Sequence, residues 1–162
     1  MLVSIFSASS VERVAGASAL ISLAICVSSL LVTKTMSLNL TQGQAAWDFS
    51  KKETETINQK LETLNENVGN KHSKDSQVLE NPSLIKLKQF CLDALNQFTV
   101  DVFGNQISLA ITQSWLNITK KNEYHHRHYH PNSFISGVLY IDTEESDKIY
   151  FHNPAKPQFL ND

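Results

Sequence analysis

The hydrophobic pattern of the chain changes its period at Gly104, and this change constrains the fold more than any other feature. Before Gly104, apolar residues recur every three or four positions, whereas Ile107, Leu109 and Ile111 alternate with polar or small residues after it. The first period is typical of amphipathic helices and the second of half-buried strands. The sequence therefore predicts an α+β chain in which N-terminal helices precede an antiparallel sheet.

Two helices are predicted in the polar middle of the chain, over residues 50–69 and 82–103. The first begins at a capping box, in which Ser50 and Glu53 each satisfy a free backbone amide. The second begins at Asn81-Pro82 and ends at Gly104, a residue that readily adopts the left-handed conformation of a helix end. Cys91 lies on the apolar stripe of the second helix, which predicts a packed thiol rather than a nucleophile.

Strands are predicted from residue 105 onward, and their number is limited by length. The alternation continues to Asn117, a polar turn follows at Lys120–Glu123, and two further strands cover Phe134–Asp142 and Lys148–His152. Only 58 of the 162 residues follow Gly104. That is room for about four or five strands, since strands average ~5–6 residues and connections are short.

Residues 1–40 form an apolar N-terminal extension of uncertain role. Its charged residues are Glu12, Arg13 and Lys34, and the 20-residue run Val14–Thr33 has no charge. About 20 apolar residues would cross a bilayer, but glycine and serine dilute this run, and Glu12 offsets the positive start of a signal peptide. Three interpretations stay open: a membrane anchor or signal, a partly buried helix, or a segment upstream of an internal start at Met36.

Charge argues against binding to nucleic acid, and cysteine content argues against disulfide frameworks and thiolate metal clusters. Fourteen Lys and Arg against sixteen Asp and Glu give a net charge of −2, which argues against binding nucleic acid through its phosphates. Two cysteines, Cys26 and Cys91, lie too far apart in sequence to indicate a disulfide framework or a thiolate metal cluster.

Histidine is the unevenly distributed residue, because four of the six lie within residues 125–130. An H-x-H pair on an extended segment directs both rings to one side, and neutral imidazole is the commonest metal ligand in proteins. Two pairs overlap, His126/His128 and His128/His130, and His125 could contribute to either. To bind a metal ion, either pair needs a further ligand from a distant strand. The alternative to a metal site is a solvated, pH-sensitive loop. The remaining two histidines are predicted to be structural or exposed: His72 and His152.

Three segments resemble a family of Fe(II)/2-oxoglutarate-dependent oxygenases found in bacteria and phages. The similarity covers about Trp47 to Pro154 and follows the family pattern SW-N, H-H-P-S--SG-YY and F-(D/N)-P. The matching segments are Ser114–Asn117, His128–Tyr140 and Ile149–Pro154.

The resemblance implies a double-stranded β-helix (a jelly-roll, cupin-like sheet) that holds Fe(II) and uses 2-oxoglutarate as cosubstrate to oxidise a C–H bond. His128 would be the first metal ligand, and His130 would stand where the wider superfamily has a carboxylate. That is a departure from the common triad of two histidines and one carboxylate, although it matches this family's own motif. Asn117, Ser136 and Tyr140 could line the cosubstrate pocket.

The resemblance also implies a distal histidine and a basic cosubstrate anchor downstream of the Phe-Asn-Pro segment. The eight residues Ala155–Asp162 contain no His or Arg, and Lys156 does not match the position of the anchor. Residues 41–162 are therefore interpreted as the N-terminal part of an oxygenase-like domain with an incomplete double-stranded β-helix. A second chain could complete the barrel.

Two other functions stay open. The first is a cupin-like metal-binding protein that uses His126, His128 and His130. The second is a non-enzymatic remnant, tethered to a membrane through Val14–Thr33, whose exposed sheet edge pairs with another protein. A cytoplasmic location is expected, with membrane anchoring as the alternative.

Overall fold

The computed structural model describes residues 3–6, 10–14, 20–28, 48–105, 107–130, 133–143 and 147–152. Within these ranges the chain forms two α-helices, nine strands and two short 3-10 turns. The helices are α1 (Lys51–Leu61) and α2 (Ile85–Phe103), and the 3-10 turns cover Val78–Glu80 and Pro82–Leu84. The strands are β1 (Val3–Phe6), β2 (Ser10–Val14), β3 (Leu20–Ser28), β4 (Leu64–Glu66), β5 (Lys71–Ser73), β6 (Ala110–Thr119), β7 (Tyr124–His128), β8 (Ile135–Asp142) and β9 (Lys148–His152).

The strands form two antiparallel sheets. One has six strands in the order β1-β8-β3-β6-β5-β4, and the other has three in the order β7-β2-β9. Successive strands from β6 to β9 alternate between the two sheets, and so do β1, β2 and β3. The mixture of helices with antiparallel strands confirms the predicted α+β class. Strands β6, β8 and β9 lie where the alternating pattern predicted them.

The N-terminal segment corrects two expectations. Strand β3 lies between β6 and β8 and pairs with both, so a helix is wrong for Leu20–Ser28. The expectation that the sheet contains only residues after 105 is also wrong. Strand β1 pairs with β8, and β2 pairs with both β7 and β9. A short apolar run does not distinguish a buried helix from a buried strand, and pairing on both sides favours the strand.

Much of the uncharged run lies outside the described residues, namely 15–19 and 29–33. Across the part of the chain that the structure describes, no helix has the length and apolar character needed to cross a bilayer.

The first predicted helix is too long. Its capping box is confirmed, since the Ser50 amide donates to Glu53 Oε2 over 2.9 Å and the Glu53 amide donates to Ser50 Oγ over 3.3 Å. The helix ends at Leu61 rather than at residue 69, and residues 64–73 form the β4–β5 hairpin. Pairing of β5 with β6 adds this hairpin to the large sheet, and that pairing overrides the helical spacing of its apolar residues.

Helix α2 agrees with the prediction apart from its first turn. The Asn81 side chain accepts from the Ser83 amide over 2.9 Å and caps a 3-10 turn, after which α2 begins at Ile85. Gly104 ends the helix with a φ of 72°, as predicted. Cys91 is buried, and burial raises the pKa of its thiol to about 12, which confirms a packed thiol.

The core lies between the helices and one face of the six-stranded sheet. Leu116 on β6 lies on that face, as does Ser114, whose Oγ accepts from the Leu79 amide over 2.9 Å. Because side chains alternate along a strand, Trp115 and Asn117 lie on the opposite face. The helices therefore cover one face of the sheet and leave the other for the residues of the candidate site. The buried apolar side chains are Leu23, Ile57, Val78, Leu79, Leu84, Leu87, Cys91, Leu95, Leu116, Ile135 and Leu139.

Candidate metal centre

Strand β7 and the two residues after it bring four imidazoles into one cluster. The ring centroids of His125 and His128 lie 4.4 Å apart at an interplanar angle of 19°, so these two rings are stacked. The rings of His128 and His130 meet edge to face at 4.8 Å and 85°. His126 completes the cluster, at 5.2 Å from His128. All four residues are half-buried, so the cluster is not a fully solvated loop.

Two ring nitrogens converge within the cluster. Nε2 of His128 lies 3.1 Å from Nε2 of His130. On the other side of its ring, His128 Nδ1 donates to the backbone oxygen of His126 over 2.8 Å. A carbonyl oxygen only accepts, so this bond holds the proton on Nδ1, and neutral His128 directs the lone pair of Nε2 toward His130.

Burial favours the neutral form of His125, His128 and His130. It lowers the pKa of His130 to about 4, with a smaller effect from the neighbouring His128. Burial also lowers the pKa of His125 to about 3. The charges of the other histidines lower this pKa further by smaller amounts, and the effect of His128 is the largest of these. Burial also lowers the pKa of His128. The neutral form is the one that binds metal, so at neutral pH binding needs no net loss of a proton from these imidazoles, although the proton that His130 Nε2 donates to His128 has to move from that nitrogen.

The two overlapping pairs predicted from sequence differ in geometry. Within the described residues, His126 Nδ1 is buried and has no hydrogen-bond partner, and its ring is tilted by 45° against that of His128. The direct approach of two ring nitrogens is made by His128 and His130. His72 lies outside the cluster, and its Nδ1 donates to the Ser73 backbone oxygen over 2.8 Å. The side chain of His152 lies outside the described residues.

The other three predicted site residues share the sheet face that the helices leave uncovered. Trp115 lies on this face, and its ring centroid is 5.5 Å from that of His130. Ser22 of β3 pairs with Asn117 on one side and with Tyr140 on the other, so these two residues lie in one cross-strand row. Ser136 lies on the same face as Tyr140, four residues earlier on β8.

All three of these residues are polar and buried. Asn117 is 3% exposed, Ser136 1% and Tyr140 4%. Asn117 Oδ1 has no hydrogen-bond partner among the described residues, which is costly for a buried amide oxygen. Ser136 Oγ donates to Ser133 Oγ over 3.2 Å. The structure thus brings the predicted cosubstrate residues onto one buried polar surface, next to a tryptophan that contacts the histidine cluster.

A third protein ligand is not found in the described part of the chain. There, no group of three or more His, Cys, Asp or Glu side chains has an arrangement that could hold a metal ion. The His128–His130 pair brings two ring nitrogens together, and their role as metal ligands stays a prediction.

The β4–β5 hairpin is the part of the site that the sequence prediction missed. Its turn, Asn67–Asn70, contacts the start of β7: the Tyr124 amide donates to the Gly69 oxygen over 3.1 Å, and Asn67 Nδ2 lies 3.4 Å from His125 Nε2. The run Asn-Val-Gly-Asn is rich in turn-forming residues, and this was the signal for a hairpin instead of a helix end.

One comparison with known proteins finds a match. Residues 113–161 match the family model described as "Putative 2OG-Fe(II) oxygenase". The matched stretch begins within β6 and contains the whole histidine cluster. It supports an oxygenase domain of this family in the C-terminal part of the chain, in agreement with the resemblance seen in the sequence. No curated protein and no solved structure matches the chain.

Proposed function

We propose that this chain is an Fe(II)/2-oxoglutarate-dependent dioxygenase domain in which His128 and His130 bind the metal. The observation that carries the proposal is the 3.1 Å approach of their Nε2 atoms, inside the stretch that matches the oxygenase family. Two imidazole nitrogens at this separation can both lie within ~2.1 Å of one divalent ion, so the donor pair fits a transition metal.

The strand arrangement supports a double-stranded β-helix. Chain segments β6–β9 and β1–β3 each pass back and forth between the two sheets, which is how two sheets of a jelly roll are wound. Strand β3 fills the position between β6 and β8, and β2 fills the position between β7 and β9. On this proposal, β1, β2 and β3 fill positions in the two sheets for which a second chain was one possible source.

The bound metal and cosubstrate would supply the oxidation of a substrate C–H bond. His128 and His130 would hold the metal as neutral ligands, so they leave the positive charge of the ion undiminished. That favours binding of the doubly negative 2-oxoglutarate. Asn117 Nδ2 and the Tyr140 hydroxyl would bind the cosubstrate by donating hydrogen bonds to its carboxylates, whereas Ser136, whose hydroxyl donates to Ser133, would line the pocket; the burial of all three keeps water away.

The test is an anaerobic titration of the full chain with Fe(II) and then with 2-oxoglutarate. We expect a weak absorption band near the visible range when 2-oxoglutarate is added, and its loss in His128→Ala and His130→Ala. Asn65→Ala is the control, because it changes an exposed residue of β4 outside the cluster and should keep the band. Failure of the wild-type chain to bind Fe(II), or equal loss in the control, would contradict the proposal.

A cupin-like metal-binding protein without cosubstrate is the second candidate. It is favoured by one observation, the buried His126 Nδ1 that has no hydrogen-bond partner among the described residues, although this atom would have to move before it could be a third donor. The same titration separates the two functions. In the second case Fe(II) binds, 2-oxoglutarate produces no band, and His126→Ala weakens metal binding as strongly as His128→Ala.

A further inference from the structure

The turn of the β4–β5 hairpin makes an unusually close backbone contact with β7. A side chain at Gly69 would place its Cβ 2.4 Å from the Tyr124 backbone oxygen, and the φ of Gly69 is +83°. Only glycine tolerates both conditions, because other residues would clash with backbone and are strained at positive φ. The Tyr124 amide donates to the Gly69 oxygen over 3.1 Å, so the turn is joined to the residue directly before His125.

A chain of side-chain hydrogen bonds runs through this contact to the histidine cluster. Asn70 Nδ2 donates to Thr119 Oγ1 over 3.1 Å, and both residues are buried. Asn67 Nδ2 donates to Asn70 Oδ1 over 2.9 Å and lies 3.4 Å from His125 Nε2. An amide nitrogen carries two hydrogens, so Asn67 can make both contacts at once.

The orientation of the Asn67 amide follows from this network. With Asn70 Nδ2 donating to Thr119 Oγ1, a flipped Asn67 amide would place its oxygen against Asn70 Oδ1, and two acceptors would oppose each other. Asn67 therefore donates to His125, and His125 Nε2 is an acceptor. The lone pair that could bind a metal is occupied by a protein donor.

His125 instead contacts the proposed ligand His128 through the face of its ring. The two rings are stacked, with centroids 4.4 Å apart at 19°. A flat ring held on one side by Asn67 limits the rotation of the ring stacked against it. Groups in this outer position typically change metal affinity by roughly 10–100-fold when they are removed.

We infer that His125 is a positioning residue rather than a metal ligand, and that Asn67 of the β4–β5 turn holds it against His128. The inference rests on the proposed function, since it concerns the ligand His128. It assigns a role to the one histidine of the cluster that the sequence left without a pair, and it gives the hairpin a function in the site.

The first measurement uses the metal-free full chain and does not depend on metal binding. Long-range ¹H–¹⁵N correlation spectra of the histidine rings report which nitrogen carries the proton. We expect the His125 proton on Nδ1 in the wild type and a mixture of the two tautomers in Asn67→Ala. Asn67→Asp is the second variant, because a carboxylate keeps the size of the side chain but cannot donate to Nε2.

The matched control is the same pair of substitutions at Asn65, an exposed residue of β4 in the same hairpin. Asn65→Ala and Asn65→Asp should leave the His125 tautomer unchanged. If the hairpin had only a structural role, Asn67→Asp and Asn65→Asp would have the same effect on the His125 tautomer.

The second measurement is a Zn(II) titration of the same proteins, followed by the ring nitrogen shifts and by the dissociation constant. We expect the ligand shift at Nε2 of His128 and His130 and not at His125. Affinity should fall about 10–100-fold in His125→Ala, about tenfold in Asn67→Ala, and by more than either in His128→Ala. The Asn65 variants should bind Zn(II) as the wild type does.

Different outcomes overturn the inference and the proposed function. A ligand shift at His125, a proton on its Nε2, or an unchanged tautomer in both Asn67 variants would overturn the positioning role alone. If the wild-type chain takes up no Zn(II) and no Fe(II), the proposed function fails, and the ligand-positioning role fails with it even when the Asn67–His125 bond is observed.

Discussion

The two faces of the six-stranded sheet differ in what they bury. The face under the helices is apolar, and side chains such as Leu95, Leu116 and Leu139 are almost fully removed from water. The opposite face carries Trp115, Asn117, Ser136 and Tyr140, and through Trp115 it contacts the imidazole of His130, which follows β7. Apolar burial accounts for the stability of the domain, whereas the buried polar groups reduce it unless they find partners. The difference indicates that the apolar core and the proposed site are located on separate faces of one sheet.

The largest effect is expected from shortening a core side chain. Leu95→Ala should lower the free energy of unfolding by about 2–5 kcal/mol, because Leu95 is 0% exposed and its removal leaves a cavity. Urea denaturation followed by circular dichroism measures this loss. Metal affinity of the folded variant should equal that of the wild type, and a parallel loss of affinity would contradict the separation of the two faces.

The next effect is expected at the contact between hairpin and β7. Gly69→Ala should cost about 2–5 kcal/mol, from left-handed strain of ~1–2 and a clash of ~1–3 with backbone atoms. Gly104→Ala is the control, since Gly104 also has a positive φ but a Cβ there meets nothing within 4 Å. Its cost should be limited to the strain, ~1–2 kcal/mol. Equal values from urea denaturation of the two variants would show that the close contact with Tyr124 does not affect stability.

Acid should destabilise the protein through the histidine cluster. The pKa values of His125 and His130 are lowered from 6.5 to about 3 and about 4. Between pH 6.5 and these values, the unfolded chain binds protons that the folded chain does not, so the free energy of unfolding falls as the pH falls through this window. The Asp75 carboxyl, whose pKa is lowered from 3.8, adds a loss at lower pH.

Urea denaturation of the metal-free protein between pH 7 and pH 4.5 measures this slope. His130→Gln should flatten it, because one of the two histidines with strongly lowered pKa is removed. Asn65→Ala should keep the wild-type slope, because it changes no titratable group. A flat wild-type profile would mean that the imidazoles take up protons as readily in the folded protein as in the unfolded chain.

The smallest effect is expected at the start of α1, remote from the site. Ser50→Ala removes the capping side chain and should cost roughly 1 kcal/mol. Glu55→Ala, which breaks an exposed pair with Lys51, should change stability by less than ~0.5 kcal/mol. Thermal denaturation of both variants measures the difference, and neither substitution should alter metal affinity. An altered affinity would show that α1 influences the histidine cluster.

Local signals allowed several elements to be predicted from the amino-acid sequence alone. The capping box at Ser50, the end of α2 at Gly104 and the alternation within β6 each depend on residues a few positions apart. The histidine cluster was equally visible, because its members are neighbours in the chain. Such features survive in any fold that contains them, since the interactions that specify them are short in sequence.

Tertiary structure decided the features that join distant residues. Whether Leu20–Ser28 became helix or strand depended on the free edges of β6 and β8, which an apolar run cannot reveal. Residues 64–73 became a hairpin because β5 pairs with β6. The distinction between His125 and His128 depends on Asn67, 58 residues away from His125. The sequence by itself thus determined which residues could form the site, and the packing of remote segments decided which nitrogens meet.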